Sequence, residues 1–215
     1  MNTAHSTELS TLPTAARPSG PDAARSASDP TSPLRMCPFR ERFGRLLPRG
    51  FRDEAAGLDW RTLVDTYAPS TDHFHLADFS RRPLGRGITA YEAILATRGA
   101  DDAPGHFSAR RLTTRSCGDV TAMSEMLGQV DARVEIEKFH QYEGRHAGSH
   151  GYEGMGGMAF GEAESWCTIL LAGCGRRHTW AMGFGETSSE ASIAALLSAA
   201  TRLHLRGQQH RNSVL

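Results

Sequence analysis

One apolar pattern that occurs twice constrains this chain more than any other feature. Phe74, Leu76 and Phe79 return as Val134, Ile136 and Phe139, each 60 positions later. Each triplet opens a short strand of alternating apolar residues. After the first, further strands are predicted over Ile88–Ala96 and Phe107–Thr114, joined by a turn over Gly99–Gly105, and a helix over Val120–Leu127 that stops at Gly128. After the second, strands are predicted over Ser165–Ala172 and His178–Phe184, with Gly173 and Gly175 making the turn, and a helix over Ser188–Leu205. The order strand, strand, strand, helix thus appears twice. A repeated supersecondary unit dictates architecture. The simplest solution is two sheets with a helix packed on a face of each, an α+β fold.

The segments outside the repeat read differently. Residues 1–35 are rich in Ser, Thr, Pro, Ala and Asp, with Leu9, Leu12 and Leu34 nearly their only large apolar residues. Such a segment cannot offset its ordering entropy by burial, and a disordered tail is expected; a second short tail is expected at 208–215. Over 36–69, Phe39, Phe43, Leu46 and Leu47 lead to Pro48, and Leu58, Trp60, Leu63, Val64 and Tyr67 recur at helical spacing before Pro69. This reads as a short helical linker subdomain of one or two amphipathic helices, leaving 70–207 for the duplicated domain.

Charge and cysteine usage narrow the function classes. Lys+Arg and Asp+Glu both number 24, a balance that argues against nucleic acid or an anionic membrane as the main partner. Lys138 is the only lysine, yet no cluster of arginines is visible that would mark a phosphate groove. Cys37, Cys117, Cys167 and Cys174 form no C-x-x-C pair, so free buried thiols in a reducing cytoplasm are expected. No stretch reaches the roughly 20 apolar residues of a membrane span, and no secretory signal pattern opens the chain.

The last predicted helix is the best marked. Thr187 and Glu190 have capping-box spacing. Ile193, Leu196, Leu197, Ala200 and Leu203 form one apolar stripe, and Ala191, Ala194, Ala195, Ser198 and Ala199 make much of the rest small. A helix of this kind is expected to lie against both its own sheet and a partner subunit.

Around this helix lies a resemblance. Trp180–Gly183, Ala191–Ser192 and Ile193–Arg202 resemble the end of 2-isopropylmalate synthases, which read W-G-V-G, then A-S, then L-x-A-L-V-S-A-V-N-R. Gly118–Ala122 resembles that family's G-N-G-P-x-x-A segment, and Val134–Glu143 the strand after it. Leu47–Arg49 and the W-x-x-L-x-x-x-Y of Trp60–Tyr67 are similar to its linker subdomain. The resemblance spans about Leu46–Arg206. It implies a leucine-sensing regulatory domain of two strand-strand-strand-helix units that dimerises. The family's catalytic barrel and its H-x-H-N-D motif have no counterpart here, and the G-N-G-P turn has become Ser116–Asp119.

The implied ligand carries a carboxylate, an ammonium and an apolar side chain. Helix N-termini suit the carboxylate, and two are offered, at Gly118–Asp119 and at Gly185–Ser189. Gly183 and Gly185 would let backbone approach a ligand, Asp119 or Glu186 would accept from the ammonium, and Ala122, Met123 and Met126 would line an apolar pocket. Gly118, Asp119, Ala122, Gly183, Gly185, Glu186 and Thr187 are therefore the candidate ligand residues. The plainer alternative is that the glycines only make turns and that Asp119 and Thr187 only cap helices. The glycine-rich segment Gly144–Gly161, with His146, His150, Met155 and Met158, reads as an ordering loop or an insertion. His73 and His75 share a strand face, but a metal would need His140 or His146 as a third ligand, and no complete set is evident. No G-x-S-x-G, P-loop or G-x-G-x-x-G in strand–helix context appears. No cofactor, no metal and no catalytic residue are expected. The expected function is a stand-alone regulatory-type domain that binds a branched-chain, leucine-like amino acid at a homodimer interface, is linked to leucine-type biosynthesis and acts on a separate synthase subunit. The alternatives are a dimerisation module without ligand, or an accessory subunit of a split 2-isopropylmalate synthase, an acyltransferase.

Overall fold

The computed structural model describes residues 37–69, 73–98, 107–144 and 165–212, with side chains described as far as His204. The expected 1–35 tail, the Gly99–Gly105 turn and all but the first residue of the Gly144–Gly161 segment lie outside these residues, whereas the second tail expected at 208–215 is corrected over 208–212, where α5 continues as helix.

The fold is α+β. Strands β1 (Phe74–Gly85), β2 (Ile88–Thr97) and β3 (Ser108–Ser116) form one antiparallel sheet in the order β1-β2-β3 and lead into helix α4 (Asp119–Gln129). Strands β4 (Glu135–Glu143), β5 (Trp166–Cys174) and β6 (Arg177–Gly185) repeat the arrangement and lead into α5 (Ser188–Asn212). Three short helices, α1 (Pro38–Phe43), α2 (Arg49–Glu54) and α3 (Trp60–Tyr67), precede them, one more than the hydrophobic spacing predicts. No described helix is long and apolar enough to cross a membrane.

The repeat extends to the irregularities. The β1–β2 register skips between Leu76 and Asp78, and the β4–β5 register between Ile136 and Lys138, again 60 positions apart. A β-bulge adds one residue and so inverts the facing of everything beyond it. Leu76 and Phe79, three apart, would point to opposite faces of a regular strand; the bulge puts both on one. Ile136 and Phe139 follow the same rule.

The inner faces of both sheets, α4 and α5 share one core, built around Phe74, Leu95, Met123, Met126, Leu127, Leu170 and Leu196. Helix α4 lies on the first sheet, α5 on the second, and the two helices touch. Helix α5 is buried within this single chain: Ala191, Ala195 and Ala199 are fully enclosed, because α4 and β1 cover what its own sheet does not. The small residues of α5 are thus buried by this chain's own elements.

The second sheet is buried on both faces. Its outer residues Cys167, Ile169, Trp180 and Met182 form a second core with Phe39, Phe43, Leu47, Phe51 and Tyr67 of the helical segment. Phe51 stacks on Trp180 at 5.4 Å, and Phe39 meets Tyr142 edge-on at 5.1 Å. Each such side chain contributes roughly 1.5–3 kcal/mol on burial, so α1–α3 hold to the sheet rather than to a core of their own. Two-sided burial is why β5 and β6 read as near-continuous apolar runs. Gly173 belongs to β5, not to the turn; Gly175, at φ 63°, makes the turn. None of the four cysteines forms a disulfide; Cys167 is buried, but Cys117 is exposed, against the expectation of buried thiols throughout.

Candidate functional site

Both third strands end where a helix begins, and the duplicated fold brings those two helix starts together. Helix α5 is capped as its sequence predicts. Thr187 Oγ1 accepts from the Glu190 amide at 3.2 Å, and Glu190 Oε2 accepts from the Glu186 amide at 3.0 Å. Helix α4 begins differently: Gly118 is its N-cap and supplies no side-chain hydrogen bond. Asp119 does not cap its own helix. Its carboxylate reaches across the gap and accepts from Ser189 Oγ of α5, while Arg81 Nη1 of β1 donates to the same oxygen at 2.9 Å. The Asp119 side chain is 15% exposed and that of Arg81 64%. The hydroxyl of Tyr91 faces the carboxylate as well; burial first, then this neighbour, push the phenol above its ordinary range.

Two cavities flank the Asp119–Ser189 contact. The first, about 400 Å³, lies between β1 and α5. Arg81, Asp119 and Ser189 make its polar end; Leu76, Phe79, Ile193 and Leu197 give it apolar walls. The second, about 480 Å³, lies between β4 and α4 and is lined by Gly118, Val120, Phe139, Gln141 and Ser192 among others. They are related by the repeat: Phe79 and Arg81 of the first correspond to Phe139 and Gln141 of the second, 60 positions on. Gln141 is committed to its own surroundings, donating to Ser192 Oγ and the Ser188 carbonyl, both at 2.9 Å. Asp119 borders both cavities, but only the first has a cation, Arg81, beside it.

The predicted residues divide. Asp119 lines both cavities, Gly118 the second and Thr187 the first. Glu186 is exposed and lines neither. Ala122, Met123 and Met126 are fully buried in the core and line no ligand space. At Gly183 an added Cβ would sit 2.0 Å from the Ala195 amide nitrogen, and at Gly185 2.7 Å from that of Ala191. What approaches these glycines is the backbone of α5, so they serve helix-on-sheet packing rather than a ligand. The capping box of α5 occupies the amides of Glu186, Thr187 and Glu190, and Arg81 is the cation that borders the first cavity beside them. Sequence reasoning missed Arg81. The aligned triplet was its signal: once Leu76 and Phe79 share a face, Arg81, two further on, shares it too.

His73 is 7% exposed, and its ring stacks on His204 of α5 at 4.0 Å rather than pairing with His75. Burial, His204 and Arg98 lower its pKa to about 4. His75 lies at the edge of the first cavity, and His146 is outside the described residues. Among the described residues, no three His, Cys, Asp or Glu side chains come together as a metal site.

No protein-family model matches the chain, and no curated protein matches it.

Proposed function

We propose that this chain is a non-catalytic regulatory domain that binds an aliphatic amino acid of the branched-chain class in the cavity between β1 and α5. The observation that carries the reading is the Arg81–Asp119–Ser189 cluster at one end of a cavity with apolar walls. A free amino acid needs a cation for its carboxylate, an anion for its ammonium and an apolar surface for its side chain. Arg81 meets the first need through a planar, donor-rich fork. Asp119 meets the second, and Leu76, Phe79, Ile193 and Leu197 meet the third. A volume of about 400 Å³ lies within the range of small-molecule sites. The duplicated βββα order, together with the resemblance to the regulatory domain of 2-isopropylmalate synthases, supports leucine or a close relative as effector, a homodimer as the working form, and a synthase catalytic unit as the target. Free thiols suit the reducing cytoplasm.

Calorimetric titration with leucine, isoleucine and valine tests this. Saturable heat with at least one of them, abolished by Arg81→Ala in a protein that still melts cooperatively, is the expected result. Silence with all three overturns the reading. A second reading, a dimerisation module without ligand, is favoured by one observation: Asp119 already has Arg81 and Ser189 as partners. Concentration-dependent dimerisation with no response to any of the three amino acids selects it.

A further inference from the structure

The duplication permits an internal comparison on the outer faces of the two sheets. On the second sheet, Tyr142, Cys167 and Phe184 lie side by side across the three strands. Phe39 and Phe43 of α1 pack on the two ends of this row. The corresponding row of the first sheet is Arg82, Ala90 and Arg115, with Arg82 60 positions before Tyr142. Both arginines are exposed. At equivalent places, one copy presents aromatics to a docked helix and the other presents two guanidinium groups around a methyl.

Between the arginines lies a groove of about 560 Å³, lined also by Ser80, Glu92 and Thr113. Glu92 is paired with Arg111 of the next row but one, at 3.2 Å. Arg82 and Arg115 have no carboxylate partner among the described residues. Strands two apart place their Cα atoms about 9.6 Å from each other, close enough for both side chains to converge over Ala90. Like charges on one row of a sheet cost stability, and an anion between them reverses the sign of that interaction.

We propose that this groove binds a single phosphate group. Two planar forks offer several N–H donors to the oxygens of a tetrahedral dianion, and the hydroxyls of Ser80 and Thr113 stand in the adjacent row. Glu92 at that side confines the anion to the arginine row, which disfavours an extended polyanion. The group comes either as free phosphate or as the phosphomonoester of a small molecule. Arg82, Ala90 and Arg115 face away from the cavity between β1 and α5, but Arg81 and Tyr91 border the groove as well, so the Arg82 and Arg115 variants, which leave Arg81 in place, test the groove apart from the amino-acid site.

The test is calorimetric titration of the full chain, in low-salt buffer free of phosphate, with inorganic phosphate and with glycerol phosphate. Saturable binding of one anion per chain is expected. It weakens at least about tenfold in Arg82→Gln and again in Arg115→Gln, since each lost charge-assisted contact is worth 1.4 kcal/mol or more. Ala90→Asp, which puts a carboxylate between the forks, abolishes it. Tighter binding of the ester identifies an organic phosphate as the natural ligand; equal binding identifies free phosphate. Absence of saturable binding with both probes overturns the proposal, as does unchanged binding in the folded double variant.

Discussion

Replacing Gly183 with alanine tests the claim that α5 is seated directly on β6 backbone. The added Cβ would stand 2.0 Å from the Ala195 nitrogen and 2.4 Å from the Ala191 carbonyl oxygen. Ordinary contact begins near 3.4 Å, so the helix must retreat by about 1.4 Å at this point. The obstructing atoms are helix backbone, which has no rotamer to change. Ala191, Ala195 and Ala199 are all fully buried along the same helix, and a gap of even 0.5–1 Å forfeits a quarter to a half of each dispersion contact. Overpacking of this kind costs about 3–5 kcal/mol, a large part of the 5–15 kcal/mol that holds a typical domain. Urea unfolding followed by far-ultraviolet circular dichroism measures it. Gly118→Ser is the matched control: a Cβ there meets nothing within 4 Å, φ is −168°, and the hydroxyl would cap an α4 start that has no side-chain cap. The control is expected to gain a few tenths of a kcal/mol. A Gly183→Ala protein less than about 1 kcal/mol below wild type would refute the seating and return the glycine to the list of ligand candidates.

Three further outcomes are expected. His73 has a folded pKa of about 4, below the ordinary 6.5, so the unfolded chain takes up the proton first. Stability then falls as pH drops from about 6.5 to about 4 and levels off below; the loss is on the order of 2 kcal/mol after allowance for solvent screening, and His73→Phe flattens it in urea titrations at pH 7 and pH 4.5. Thr187→Ala removes one arm of the α5 capping box and lowers the unfolding free energy by about 1 kcal/mol, with the thermal midpoint as readout. Arg81→Ala breaks an ion pair whose arginine is mostly exposed but whose carboxylate is mostly buried; it costs about 1–3 kcal/mol of stability, read as a fall in the thermal midpoint of a protein that still melts cooperatively.

Much of the fold was legible because it is written in periodicity. The two triplets marked both first strands, and the Thr187–Glu190 spacing marked the start of α5. What periodicity could not convey was the bulge, since an inserted residue looks like a break in alternation rather than a device that restores it. The Arg81–Asp119 contact and the shared row of Arg82 and Arg115 were hidden because folding brings together residues more than 30 apart in the chain. The glycines at 183 and 185 were misassigned because a sequence registers that backbone must be approached closely, not by what. Ala122, Met123 and Met126 were misplaced because the apolar face of α4 looks the same whether it meets a ligand or the shared core.

The unequal clothing of the two sheets has a consequence for how the molecule breathes and tolerates change. One three-stranded layer has a helix on one side and aromatic helices on the other, whereas on the outer side of its duplicate Arg82, Arg111 and Arg115 are exposed. Amide protons of β5 are therefore the last to exchange, and the hairpin of β1 and β2 opens well before the whole molecule does.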